Sequence, residues 1–134
     1  MNYNDLTRQY FESAANAGEL QGPGVFRGAA GDKAQGTWVQ FDLHIKAGTV
    51  SAASFLAFAC PHTIAVAAWL AEQAVGGRLQ PVLPEGVPAL RDRFAVPVEK
   101  MGRLLIIEDA WLAAVLPAID YRESAQIVSE QGRS

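Results

Sequence analysis

Polar and apolar positions alternate most cleanly between Thr37 and Lys46. Val39, Phe41, Leu43 and Ile45 fall on one side, and Gln40, Asp42, His44 and Lys46 on the other. A period of two is that of a strand with one face on a core and one face in water. Lys46-Ala47-Gly48-Thr49 reads as a tight turn, with Gly48 free to take positive φ, and Val50 to Phe58 returns as the next antiparallel strand. Val25 to Gly28 is a short candidate first strand, followed by a small-residue connection over residues 29–36.

The remaining segments follow the helical period. Residues 2–17 form an expected helix with Asn2 or Asn4 as cap, and Tyr3, Leu6, Tyr10, Phe11 and Ala14 near one face. Gly18 stops it, and Gln21-Gly-Pro-Gly24 forces a loop. Pro61 suits a helical first turn, Ile64, Ala67, Ala68, Ala71 and Val75 recur at helical spacing, and Gly76-Gly77 closes the helix. Residues 78–89 read as a Pro-rich loop and Ala89 to Phe94 as one or two helical turns. After Val96-Pro97-Val98 a long helix runs from about Glu99 to Leu116. It is apolar on nearly every side, so it is expected to be central and well buried. Pro117 is expected to end or kink it, with a last helix over residues 118–130, Ile119 and Ile127 inward, and a frayed tail at 131–134. The order predicts an α+β fold: a small antiparallel sheet of about three strands with helices packed on one face, in a single domain spanning 1–134.

Composition narrows the function classes. Half of the 134 residues are apolar and 19% are charged, as in a globular chain. The net charge is −3 without a Lys/Arg cluster, which argues against nucleic acid and an anionic membrane surface as partners. No apolar run approaches the ~20 residues of a membrane span. Met1-Asn-Tyr-Asn-Asp5 lacks the pattern of a signal peptide, and the single cysteine suits a reducing compartment, so the expected location is the cytoplasm.

Cys60 stands where an apolar strand passes into an apolar helix. A thiol at a helix N-terminus is drawn toward its thiolate form, whereas a buried free cysteine packs as a small hydrophobe. His62 lies two residues on, so Cys60 and His62 are also candidates for a metal pair or a thiol and its base. The competing reading of His62 is a helix-start histidine facing solvent. His44 sits on the polar strand face, and Trp38, Trp69 and Trp111 read as core or rim aromatics. Glu108 and Asp109 interrupt an apolar helix and need a partner or an exposed stripe, with Lys100 or Arg103 the candidate partners for Glu108.

The local sequences resemble the U-type iron–sulfur cluster assembly scaffold family, the IscU and NifU N-terminal proteins. The residues carrying the resemblance are Tyr3, Tyr10-Phe11-Glu12 and Gly18; Gly31-Asp32; Phe58-Ala59-Cys60 with Ile64-Ala65; and Pro97, Lys100 and Glu108-Asp109-Ala110. It covers about residues 2–125 and implies a non-enzymatic scaffold of the α+β class. The family's three cysteines and one aspartate match here to Ala30, Cys60, Arg103 and Asp32, and Gly102 replaces a neighbouring histidine. Two of three thiolates are therefore missing, while clusters are typically held by about four. Arg103 also places a permanent positive charge at a ligand position.

The resemblance implies Cys60 as the sole thiolate for persulfide or metal and Asp32 as a second ligand, with His62 a further metal candidate. Arg103, Lys100 and Glu108 are supporting residues. The implied cargo is an iron–sulfur cluster or a single zinc or iron ion, weakly held or absent in the isolated monomer. The implied partner is a cysteine desulfurase. A homodimer, offering two copies of Cys60 and Asp32, is a candidate assembly. The competing readings are a non-catalytic interaction protein that kept the fold and lost the chemistry, and a small thiol enzyme using Cys60 and His62.

Overall fold

The computed structural model describes the backbone of residues 3–13 and 16–131 and the side chains of these as far as Tyr121. The expectations for Asn2, Ala14, Ile127 and the tail after 131 lie outside the described residues or side chains.

Asn4 opens the first helix, α1 (Asp5–Ser13), by accepting a hydrogen bond from the Thr7 backbone N–H through Oδ1 at 2.8 Å. Three strands follow: β1 (Val25–Asp32), β2 (Thr37–Lys46) and β3 (Thr49–Phe58). They form one antiparallel sheet in the order β1-β2-β3. The β2–β3 hairpin turns at Ala47 and Gly48, both at positive φ (53° and 76°), which suits the right-handed twist of the paired strands. Helices α2 (Pro61–Ala74), α3 (Val87–Phe94) and α4 (Met101–Gln131) complete the chain. α4 lies on β1 and β2, α2 on β3, and α1 packs on α2.

The core lies between the sheet and these helices. Val39, Phe41 and Leu43 are fully buried there with Ala65 to Ala68, Leu70, Leu104 and Ile107. This is the face that the β2 alternation assigns to the core. Thr7 donates its hydroxyl to the Phe94 carbonyl at 2.8 Å, tying α1 to α3.

Four sequence expectations change. First, β1 does not stop at Gly28 but continues to Asp32, pairing Ala29 to Asp32 with Gln40 to Thr37. A run of Ala and Gly carries little strand propensity, and partner pairing extends it. Second, the outer face of β2 is not simply wet: Asp42 is fully buried and Gln40 is 8% exposed. Residues 16–24 cross this face as a strap. Asn16 and Gly18 pair with Phe55 on the free edge of β3, and Gly24 accepts from the Ile45 N–H. Between these ends, Leu20 N–H donates to Asp42 Oδ2 at 2.9 Å and Gln40 donates to Glu19 at 3.0 Å. Arg27 completes the network with a bidentate pair to Asp42, both bonds at 2.8 Å.

Third, α4 is not buried all round. Leu104, Ile107, Ala110, Trp111, Ala114, Val115, Ala118 and Ile119 form its buried stripe, while Leu105 and Leu116 are 51% and 45% exposed. A single sheet layer covers only one side of a helix. Fourth, Pro117 does not end the helix. Pro117 lies on the exposed side of the helix, where its ring is accommodated without displacing a packing partner.

Contact between α4 and β1 is unusually close at Gly28. A Cβ on Gly28 would lie 2.2 Å from the backbone nitrogen of Ala114. Gly28→Ala is therefore expected to destabilise the fold by about 3 kcal/mol, read as a lower denaturant midpoint. Arg27→Ala leaves the Asp42 carboxylate buried without its guanidinium, with only Leu20 and Gln40 as donors. It is expected to cost about 1–3 kcal/mol; replacing both Arg27 and Asp42 by apolar residues should recover part of that loss in the same denaturation measurement.

Candidate functional site

Chain order brings three segments to one end of the sheet: the end of β1, the junction from β3 into α2, and the start of α4. Cys60 is the N-cap residue of α2, with extended backbone (φ −75°, ψ 165°), and Pro61 follows at the first helical position. Its carbonyl accepts from Ile64 N–H at 3.1 Å, so the helix begins at this residue. Cys60 is a free, half-buried thiol. Its Sγ is 3.5 Å from Thr63 Oγ1.

Burial pushes the Cys60 thiol up, but the Thr63 hydroxyl and N–H and the Arg103 guanidinium outweigh it and hold the group below its ordinary range. Each of those groups stabilises charge on sulfur, the Thr63 groups as hydrogen-bond donors and the Arg103 guanidinium through its positive charge. Thr63 went unrecognised in the sequence. The signal was available, because a residue three after an N-cap is the position whose N–H and side chain face the cap.

Asp32 ends β1 and caps the following single 3₁₀ turn (Lys33–Gln35), its Oδ1 accepting from Ala34 N–H at 2.8 Å. It lines a cleft of about 370 Å³ that also includes Thr37, Glu99, Arg103 and Ile106. Arg103 is thus common to both groups: it borders the Asp32 cleft, and its positive charge helps to lower the Cys60 pKa. Ala30, at the position matched to a family cysteine, is partly buried against the core.

His62 takes no part in this arrangement. It is 3% exposed, not turned to solvent. Its ring meets Tyr3 edge-on at 4.6 Å, and its Nδ1 lies 3.4 Å from Lys100 Nζ. Burial, with the Lys100 and Arg103 cations, lowers its pKa and keeps it neutral at pH 7. No hydrogen bond joins His62 to Cys60 among the described residues, so the thiol–base pair that a small thiol enzyme requires is not formed. Glu108 is half-buried on α4 and makes no ion pair with Lys100 or Arg103 among the described residues. His44, on the strap side of the sheet, is hydrogen-bonded to Ser51 and lies at the other end of the hairpin.

The residues present do not fit a metal cluster. Among the described residues no three His, Cys, Asp or Glu side chains converge as a metal site, so Cys60, Asp32 and His62 do not assemble as a ligand set. The site instead offers one activated thiol beside one cation, with a carboxylate engaged in capping at the rim. That combination suits nucleophilic or sulfur-carrying chemistry at Cys60. Among the described residues no helix is long and apolar enough to cross a membrane.

Comparison with known proteins gives a consistent fold. The family model described as the NifU-like N terminal domain matches residues 2–125. The chain is similar to the solved structure of a nitrogen-fixing NifU-like protein (N-terminal) from Brucella abortus, at 20% identity over 88% of this chain and 94% of that one, with a TM-score of 0.65. It is also similar to a protein from Fervidobacterium islandicum AW-1 whose description assigns it as an iron–sulfur cluster assembly scaffold for the SUF system. There the identity is 15%, the coverage 59% of this chain and 57% of that one, and the TM-score 0.52. At these identities the likeness establishes the α+β fold. No curated protein sequence matches the chain significantly.

The electrostatics yield a direct test. Thiolate is the form that reacts with iodoacetamide, so a thiol with a lowered pKa reacts at lower pH than an ordinary cysteine. Removing the cation in Arg103→Gln takes away one of the lowering influences. The midpoint of the alkylation pH profile should therefore move upward and the rate at neutral pH should fall. Thr63→Val should move it in the same direction.

Proposed function

The chain belongs to the NifU-like N terminal domain family, and from that membership we propose that it serves iron–sulfur cluster assembly as a sulfur acceptor, with Cys60 receiving sulfur from a cysteine desulfurase. The observation that carries this reading is the Cys60 sulfur at the start of α2, half-buried and held toward thiolate by Thr63 and Arg103. One thiol suffices to carry sulfur, whereas holding a cluster takes several.

The transfer balances without an outside oxidant or reductant. The Cys60 thiolate attacks the outer sulfur of the desulfurase persulfide. A new S–S bond forms to Cys60 as the bond to the desulfurase sulfur breaks. The electron pair of that bond leaves on the desulfurase as thiolate, and the proton stays on the transferred sulfur. Arg103 faces the anionic Cys60 thiolate before the step, and faces anionic sulfur again once the transferred sulfur gives its proton to water. Thr63 supplies the hydroxyl hydrogen bond, and Asp32 lines the cleft that Arg103 borders. Lys100 contacts His62 and Tyr3. Iron enters no step, because the ligand set does not fit it.

The test is transfer of ³⁵S from cysteine through a purified cysteine desulfurase to this protein, read by non-reducing electrophoresis. Reductant-labile label on the wild type, lost in Cys60→Ser and reduced several-fold in Arg103→Gln, is the expected result. Wild type labelled no more than Cys60→Ser, while an established acceptor is labelled in parallel, would overturn the proposal and leave the interaction-protein reading.

A further inference from the structure

The cleft that Asp32 and Arg103 border has features that sulfur chemistry at Cys60 does not use. Asp32 and Thr37 are partners in the β1–β2 pairing, and cross-strand partners point to the same face of a sheet. Val39 and Phe41 fall on the Thr37 side of β2, so Asp32 and Thr37 both point to the side that α4 covers. There α4 supplies the facing wall through Arg103 and Ile106, and Glu99 joins it from the 3₁₀ turn Val98–Lys100. The space enclosed is about 370 Å³, at the small end of ligand pockets.

Two observations point to a ligand. The first is Thr37, which is 7% exposed and whose hydroxyl makes no hydrogen bond to any described residue. That hydroxyl is not sealed from solvent, for among the described residues the sealed side-chain atoms without a partner are Ser54 Oγ and Trp111 Nε1. A buried hydroxyl open to a cleft takes its partner from whatever enters the cleft. The second is the arrangement of charge. Arg103 shares the cleft with Asp32 and Glu99, yet no ion pair joins it to either among the described residues. Asp32 commits one oxygen to the Ala34 N–H and has the other to offer. Carboxylates and a guanidinium held apart around one space present both signs of charge to a ligand.

We propose that this cleft binds a free α-amino acid with a small side chain. The ligand carboxylate accepts from the Arg103 guanidinium, whose several N–H donors serve it as well as the Cys60 thiolate. The Thr37 hydroxyl donates to the same carboxylate. The ligand ammonium is held by Asp32 and Glu99, and Ile106 gives the side chain an apolar contact. A simple anion would be repelled by the two carboxylates, and a simple cation by Arg103, whereas a zwitterion matches all three. The inference concerns binding alone, so it does not depend on the sulfur-acceptor reading.

Titration of the ¹⁵N-labelled full chain with L-alanine tests it, with ethylammonium and propionate as probes that each carry one of its two charges. The expected result is a saturable shift of the Asp32, Gln35 and Gly102 backbone amide resonances with alanine, and binding about tenfold weaker for either probe. Arg103→Gln should weaken alanine about tenfold and leave ethylammonium no weaker. Glu99→Gln, an exposed change, should weaken alanine about twofold to fivefold and leave propionate no weaker. Thr37→Val keeps the shape and removes the hydroxyl, and should weaken alanine about threefold to fivefold. Cleft amides indifferent to alanine would overturn the proposal. Ethylammonium binding as well as alanine would overturn it in favour of a cation site, and propionate binding as well would overturn it in favour of an anion site. Should a variant fold poorly, the comparison of the three ligands on the wild type decides the question alone.

Discussion

The contact of α4 with β1 at Gly28 is the constraint on which the arrangement depends. With no side chain at residue 28, the helix backbone at Ala113 and Ala114 rests directly on the strand. The two elements then run antiparallel, for three residues along, at Gly31, an added Cβ would come within 3.1 Å of Ile106. Three strand residues advance roughly 10 Å and eight helical residues roughly 12 Å, so the two elements keep pace. One further step carries β1 to Asp32 and α4 back to Arg103, and this is how the two come to line one cleft. A bulkier residue at 28 would lift α4 and disturb that correspondence along its length.

The hairpin sets the other coordinate. β3 ends at Phe58 and delivers Cys60 two residues later at the start of α2, whose last turns return to the β3 origin near Val50. Ten strand residues separate the two ends by roughly 30 Å. Cys60 and Val50 therefore lie at opposite ends of the sheet.

Much of this was legible in the sequence, for identifiable reasons. The β2 alternation, the Ala47-Gly48 turn and Pro61 after Cys60 are local signals, and local structure obeyed them. The readings that changed all needed information from elsewhere in the chain. The run of small residues in β1 looked like a loop because its strand character comes from pairing with β2, and its glycine from contact with α4. Asp42 looked wet because its cover is the strap of residues 16–24, which carries no periodic signal. Leu105 and Leu116 looked buried because hydropathy does not reveal which side of a helix lacks a partner. At the site, Cys60 and Arg103 are far apart in sequence, and only the resemblance hinted that they meet. Thr63 escaped because a threonine in a helical first turn is ordinary until a thiol stands at the cap.

Arg103 stands where the resemblance to the family expects a thiolate ligand, and the change of charge has a sign as well as a loss. Removing a thiolate ligand by itself would leave a weaker cation site. Supplying a guanidinium reverses the field. Opposite charges attract and like charges repel in proportion to their product, so a divalent cation is repelled twice as strongly as a monovalent anion is attracted. A thiolate or persulfide at Cys60 gains from that attraction. The half-buried setting of Arg103 limits how far water screens either effect. An Asp32 carboxylate at the rim does not undo this, since one of its oxygens is already committed to the Ala34 N–H. The charges around Cys60 favour its thiolate, the form that the proposed sulfur acceptor uses. A protein of this fold that keeps one thiol and surrounds it with a hydroxyl, a helix N-terminus and a guanidinium is built to stabilise charge on that sulfur.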